Sequence, residues 1–411
     1  MYFGWKGSSA MLCQFTVKNF QCIKDEATLD LQATDISEHQ DTVLTDPDGD
    51  SFLPMAVIYG PNGGGKTTVL KALYALSYKI MKPICAVSCD NKDCIKSSEH
   101  ISIEPFAFSK DTIKSPTEFE LFFRTKTYEY QYQVSIRKDK IVAESLYRKA
   151  LMETSRYALV FERTGSKNIK LHGSLKNYNV TDISDTLTLI SYFGITHRRN
   201  GIIKDIVNWF DSGIDFINYG NPREDAQIAI VEKASDKSLV LKMLAEMDID
   251  VSDYRIEKED DRLRLFTTHR VNNENYELPL GAESNGTIKV FGLLPYIANS
   301  IATGTTLVVD ELDAKLHPLL LEYIIHLFNN PQINTRKSQL IFTSHDLTTM
   351  NSENFRRDEI WFIAKGIDQS AHMYSLVEIK ESNEITFNKH YMEGRYGADP
   401  YLKRIIDWRN I

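Results

Sequence analysis

The eight residues Gly60-Pro61-Asn62-Gly63-Gly64-Gly65-Lys66-Thr67 constrain this chain more than any other stretch. They satisfy G-x-x-x-x-G-K-[ST], and their flanks are of the kind that pattern needs. The apolar, β-branched run Ala56-Val57-Ile58-Tyr59 precedes them, and the helix-forming run Val69-Leu70-Lys71-Ala72-Leu73-Tyr74-Ala75-Leu76 follows. A buried strand, a glycine turn and a helix N-terminus together aim backbone N–H groups and a helix dipole at phosphate. On this reading Asn62, Gly63, Gly64, Gly65 and Thr68 line the phosphates. Lys66 reaches the β- and γ-phosphates, and the Thr67 hydroxyl sits on Mg²⁺. The stretch predicts a nucleoside triphosphate site.

Composition narrows the rest. The 411 residues suffice for two domains or one elaborated one. With 48 Lys and Arg against 56 Asp and Glu the net charge is −8, so no bulk electrostatic drive toward nucleic acid exists. No run approaches the roughly 18 apolar residues that span a bilayer. Met1 to Ala10 lack the apolar core of a secretory signal and are expected to be an extension before a strand over Leu12 to Phe20. The five cysteines fit a reducing cytoplasm. Cys85, Cys89 and Cys94, with His100 nearby, invite a zinc reading, but their spacing holds no C-x-x-C pair, and reduced loop thiols are expected.

Along the chain, two short strands are expected around Asn19, then the phosphate-loop strand, then a helix fading near Pro83. From Glu118 the apolar period becomes two: Phe119, Leu121 and Phe123, then Tyr128, Tyr130, Tyr132, Val134 and Ile136. Further strands are predicted over 141–147, 158–162 and 169–172, giving a largely antiparallel sheet whose tyrosine stripe packs across strands. Residues 181–250 turn helical, and strands resume over 263–267 and 276–280.

A second strand, Thr305 to Val309, ends in Asp310-Glu311. A buried parallel strand ending in a carboxylate pair suits the metal side of a phosphate-binding sheet. Asp310 would hold Mg²⁺, largely through water, and Glu311 would polarise the attacking water. The strand Gln339 to Thr343 ends in Ser344-His345-Asp346, where His345 can sense a γ-phosphate.

This order resembles the ABC-type ATPases of the SMC and recombination-repair group. The resemblance implies that Ser284 and Gly286, in Glu283-Ser284-Asn285-Gly286-Thr287, bind the γ-phosphate of ATP held by the opposite subunit. It also implies that Asp313, in Leu312-Asp313-Ala314-Lys315-Leu316-His317-Pro318, lies in the loop crossing that interface. The glutamine of the group's coupling loop is missing from Ile101 to Lys110, and Gln131 and Gln133 sit inside the tyrosine strand. Glu-Ser-x-Gly-Thr at 283–287, Asp-Glu-Leu-Asp with Leu-His-Pro at 310–318, Pro-Thr-x-Phe-Glu at 116–120 and Gly-Arg-Tyr-Gly-Ala at 394–398 look like the compact anti-phage ATPases. These are the abortive-infection type and the AriA-like subunit of the PARIS system.

The expected fold is therefore α/β, an ABC/SMC-type P-loop ATPase head from residues 11–110 and 281–411, with an inserted β-plus-helical lobe over 111–280. The resemblance implies ATP and Mg²⁺, a homo-oligomer joined through ATP-sandwich heads, and control of a separately encoded nuclease effector, with a phage protein as one trigger. The rival expectation is an SMC or recombination-type ATPase acting directly on DNA in repair. A nuclease activity of the chain itself finds no acidic cluster after His345, and Asp358-Glu359 is expected to open a strand over 360–364.

Overall fold

A computed structural model describes residues 10–88, 101–152, 154–180, 183–217, 237–259, 262–379 and 387–399. Cys89, Cys94 and His100, weighed above for zinc, lie outside them, as do Met1 to Ser9. Among the described residues, no helix is long and apolar enough to cross a membrane.

The chain begins in an antiparallel sheet. Strands β1 (Met11–Lys18) and β2 (Ala27–Asp30) are joined by β6 (Thr117–Arg124), β7 (Tyr128–Arg137), β8 (Lys140–Ala150), β9 (Ala158–Thr164) and β10 (Asn168–Leu171). Their order is β10-β9-β8-β7-β6-β1-β2. The boundary expected at residue 110 therefore runs through a continuous sheet, because β6 pairs with β1 from Lys18↔Glu118 to Met11↔Arg124. The tyrosine stripe packs across strands as read: Tyr130 stacks on Phe123 at 5.2 Å, and the Tyr132 hydroxyl donates to Glu144 at 2.9 Å. A small hairpin, β3 (Leu44–Thr45) and β4 (Ser51–Phe52), brings Asp46, Asp48 and Asp50 around the fully buried Arg124. Glu129 takes the remaining Nε–H at 2.6 Å.

The second sheet carries the phosphate loop. Its strands are β5 (Met55–Tyr59), β11 (Ile214–Ile217), β15 (Thr306–Val309), β16 (Gln339–Thr343), β17 (Ile360–Lys365) and β18 (Ala371–Ser375). The order is β11-β15-β16-β5-β17-β18, parallel throughout except for the last pair. Every residue of β5, β15 and β16 is buried, which explains their unbroken apolar runs. Alternation survives as a choice between two cores. Ala56, Ile58, Val308, Ile341, Trp361 and Ile363 face one; Met55, Val57, Leu307, Val309, Leu340 and Phe342 face the other.

Helices α1 (Lys66–Ser88), α2 (Leu189–Thr196) and α3 (Gly201–Asn208) fill the first core, beneath the antiparallel sheet. The second core is covered by α4 (Lys237–Glu246), α5 (Asn285–Thr303), α6 (Pro318–Asn329) and α7 (Phe387–Met392). A three-stranded sheet, β12 (Asp253–Glu259), β13 (Arg262–Val271) and β14 (Glu274–Pro279), adjoins it.

Two local expectations change. Helix α1 runs through Pro83 to Ser88, because Ile80, Met81, Ile84 and Cys85 are all buried against the first core. That packing outweighs a lost backbone bond costing about 3 kcal/mol. Strand β11 lies within the stretch read as helical; four residues following a helix are too few for a period, and only pairing with β15 defines them. Strand β12 likewise appears through its pairing with β13. Finally, buried Gln339 sews the sheets together. Its Oε1 accepts the Leu12 N–H at 2.8 Å and the Thr306 hydroxyl at 3.1 Å, and its Nε2 donates to Leu12 O and Leu53 O.

Candidate active site

Parallel strands present their C-terminal ends on one edge, where ligands of open α/β sheets bind. Here β15, β16 and β5 lie side by side, with Val309 opposite Phe342 and Phe342 opposite Val57. The residues that follow each strand therefore converge, and these are Asp310, Thr343 to His345, and the loop from Gly60 to Lys66.

Two of the loop's glycines are there for space. A Cβ on Gly60 would stand 2.4 Å from Ile363 O. One on Gly65, whose φ is +112°, would stand 2.8 Å from Cys22 Sγ and 3.0 Å from Ala371 Cβ. The loop is thus pressed against the β17–β18 hairpin and the turn at Cys22, and Cys22 Sγ also donates to Thr68 Oγ1 at 3.2 Å. By contrast nothing lies within 4 Å of a Cβ on Gly63, whose φ is +72°. Asn62 and Gly63 are exposed and Gly64 is buried.

Lys66 opens α1 with its side chain buried, and its Nζ donates to Gly60 O at 2.7 Å and Pro61 O at 3.2 Å. Burial pulls its pKa down, while Glu311, Asp310 and Asp313 oppose that. A cation held in a loop by neutral carbonyls, at a helix N-terminus, is matched to an anion. The next residue donates from Thr67 Oγ1 to Asp310 Oδ1 at 3.1 Å. Thr343 Oγ1 donates to the same carboxylate oxygen at 2.7 Å and accepts the Glu311 N–H at 2.7 Å. Glu311 is exposed and sits at φ +51°, a left-handed backbone rare for a residue with a Cβ.

His345 donates its backbone N–H to Asp313 Oδ2 at 3.1 Å, while Asp313 Oδ1 is buried without a hydrogen-bond partner. Burial, and then the charge of Lys66, hold the His345 pKa below its usual value. Lys66, Thr67, Asp310, Glu311, Asp313 and His345 are therefore one cluster. Ser284 and Gly286 do not join it. Ser284 caps α5, accepting the Thr287 N–H at 3.1 Å, and a Cβ on Gly286 would meet Lys315 O at 3.4 Å.

Two residues of the site escaped sequence reasoning. Thr343 ends a strand whose apolar pattern gives no reason to single it out. Lys289, five residues after Ser284 and buried, donates to Glu311 O at 2.9 Å, Leu312 O at 2.8 Å and Ala314 O. It ties α5 to the turn that carries Glu311 and Asp313. Its position on the inward face of a helix was legible; its carbonyl partners were not. The segment Ile101 to Lys110, without the expected glutamine, is pinned to the Asn19 turn by the Phe106 N–H on Asn19 Oδ1 at 2.9 Å.

The donor set suits Mg²⁺. Hydroxyl and carboxylate oxygens are its ligands, and Thr67 and Asp310 supply one of each within hydrogen-bond reach. Among the described residues no group of three or more His, Cys, Asp or Glu could hold a metal, so phosphate and water would complete the shell.

No curated protein matches the chain. Among solved structures it is similar to the SMC head domain from Thermotoga maritima, at 14% identity, covering 90% of this chain and 99% of that one with a TM-score of 0.39. It is also similar to an Smc head domain with an extended coiled coil, bound to the C-terminal domain of ScpA, derived from Pyrococcus furiosus (11% identity, 90% and 97% covered, TM-score 0.42). Residues 55–351 match the family model described as "AAA domain, putative AbiEii toxin, Type IV TA system", which spans β5, the phosphate loop, Asp310 and His345. The chain belongs to that family.

Proposed function

We propose that the chain binds and hydrolyses ATP with Mg²⁺ at a site completed by a second copy, and that this cycle switches a toxic effector in defence against phage. The observation that carries the ATPase reading is the convergence on Asp310: Thr67 from the phosphate loop and Thr343 from the next strand both donate to it, and Thr343 also accepts the Glu311 N–H. Lys66 and the first turn of α1 would hold the phosphates. Thr67 and Asp310 would hold Mg²⁺, whose charge screens the β- and γ-oxygens when bound. Glu311 would accept a proton from water, and His345 would supply an N–H to the terminal phosphate. Asp313 fixes the His345 backbone. The exposed Ser284, outside the cluster of its own chain, supports a role toward the partner's nucleotide.

A site assembled in trans makes turnover depend on association, as a switch requires. The motifs shared with compact anti-phage ATPases, including Gly394 to Ala398, favour an effector, a nuclease above all, over direct action on DNA in repair. The test is a mixing experiment. Lys66→Ala alone should bind no ATP, and Glu311→Gln should bind it and stall in an assembled form visible by light scattering. Ser284→Arg mixed with Lys66→Ala should recover part of the turnover; no recovery at any ratio refutes the shared site.

A further inference from the structure

The chain's net charge of −8 conceals a corner of the opposite sign. Residues 167–204 carry Lys167, Lys170, Lys176, Arg198, Arg199 and Lys204 against two acids, Asp182 and Asp185. Of these, Lys170 pairs with Glu162, and Asp185 is taken by Lys140. Lys176, Arg198 and Arg199 are exposed and form no ion pair or side-chain hydrogen bond with any described residue.

The fold gathers them. The turn after β10, Gly173–Leu175, and the turn joining α2 to α3 are tied by Asn200 Nδ2 donating to Ser174 Oγ at 3.2 Å. His197 closes α2, its N–H on Phe193 O at 2.7 Å, and its ring packs on Tyr178 with centroids 4.1 Å apart. Phe193 supports both rings from below, at 5.9 Å from Tyr178 and 5.8 Å from His197. Tyr178 and His197 are half-buried, so part of each ring meets solvent, with Lys176 two residues before Tyr178 and Arg198 and Arg199 directly after His197 in the chain.

Unpaired like charges held together oppose folding slightly and mark a surface kept for a polyanion. The chemistry of the neighbours selects which one. A lipid surface is recognised by exposed apolar side chains beside the charges, and no large apolar residue in 167–204 is exposed. Rings set between cations suit a strand whose bases are unstacked and free to lie on them; a duplex hides its base faces.

We propose that this corner binds single-stranded nucleic acid, its phosphates on Lys176, Arg198 and Arg199 and a base against Tyr178 and His197. The surface lies beside the C-terminal half of α1, where Ser191 Oγ donates to Ile80 O at 2.8 Å, at the opposite end of that helix from Lys66. It does not depend on the ATPase reading.

The test is fluorescence anisotropy of the full chain with labelled oligothymidylate and oligouridylate about 20 nucleotides long, across a salt series. Preference between the two probes tells DNA from RNA. The triple variant Lys176→Glu, Arg198→Glu, Arg199→Glu should flatten the log–log salt slope by about 2, the share of three phosphates on a single strand. Tyr178→Leu should weaken binding about tenfold at an unchanged melting temperature, the loss of one stacked base. Lys66→Ala should bind like the parent chain, so failure of the nucleotide site leaves this reading standing. Equal affinity of the parent and triple variant refutes the proposal. So does tighter binding of a duplex of the same length, heparin competition with no effect of Tyr178→Leu, or binding of phosphatidylserine vesicles without oligonucleotide.

Discussion

Replacing Thr343 with valine removes one hydroxyl from the centre of the candidate active site while preserving its volume. Thr343 itself is fully buried, and both of its bonds are part-buried. Its Oγ1 donates to Asp310 Oδ1 and accepts the Glu311 N–H, each at 2.7 Å. A hydrogen bond to a carboxylate contributes about 1.5–3 kcal/mol, and the part-buried Glu311 amide left without its acceptor costs at most about 1–3 kcal/mol. Relief from burying the hydroxyl offsets part of this, leaving a net loss of about 2–4 kcal/mol. Glu311 also holds a left-handed backbone that costs about 1–2 kcal/mol, and its N–H bond to Thr343 helps retain it. Without that bond Glu311 should relax, and a displacement of about 1 Å of a reacting group lowers turnover roughly a hundredfold. Urea unfolding followed by tryptophan fluorescence and a phosphate-release assay measure the two effects. Thr343→Ser, which keeps both bonds, is the control. A valine variant within about 0.5 kcal/mol of the parent and turning over normally refutes the argument, as does a serine variant equally impaired.

Other perturbations follow from contacts already described. Gly65→Ala should cost both stability and nucleotide binding, since its Cβ meets Cys22 Sγ at 2.8 Å in a strained backbone; an ATP thermal shift equal to that of the parent would contradict this. Arg124→Met leaves Asp46, Asp48, Asp50 and Glu129 facing one another, and should destabilise by about 3–5 kcal/mol with little effect on residual nucleotide affinity. His345 gives a pH signature. Its folded pKa lies below its unfolded one, so between the two the unfolded chain binds more protons. Stability should therefore fall as pH drops through about 6.5, and fall less in His345→Gln; identical pH profiles would rule this out. Lys289→Met should slow turnover more than it weakens ATP binding, because it frees the Glu311, Leu312 and Ala314 carbonyls of the turn that carries Glu311 and Asp313. A variant that lost binding alone would overturn that role.

What the sequence disclosed and what it withheld divide along contact range. Gly60 to Thr67, Asp310-Glu311 and His345 were legible because each motif is a strand end plus its next residues, and strand ends in a parallel sheet share an edge. The two cores were half visible: β5, β15 and β16 announced burial on both faces, but not which residue faced which core. The pairing of β6 with β1 left no local trace, since nothing in Thr117 to Arg124 names a partner a hundred residues upstream. Lys289 and Thr343 were hidden for the same reason. Their importance lies in hydrogen bonds to the Glu311 backbone 22 and 32 residues away, and for Thr343 also to the Asp310 carboxylate 33 residues away, and such distant pairings leave no local pattern.

The position of β5 has a consequence for how the protein is made. Its two neighbours, β16 and β17, begin at Gln339 and Ile360, while β5 itself ends at Tyr59. At about 5–20 residues per second, roughly 15–60 s of translation separate the phosphate-loop strand from the first strand that can hold it. Until then the loop has neither the Thr343 strand behind it nor the β17–β18 hairpin pressing on Gly60 and Gly65. The proposed nucleotide site can therefore be assembled only after β16, β17 and β18, which end at Thr343, Lys365 and Ser375, have been made.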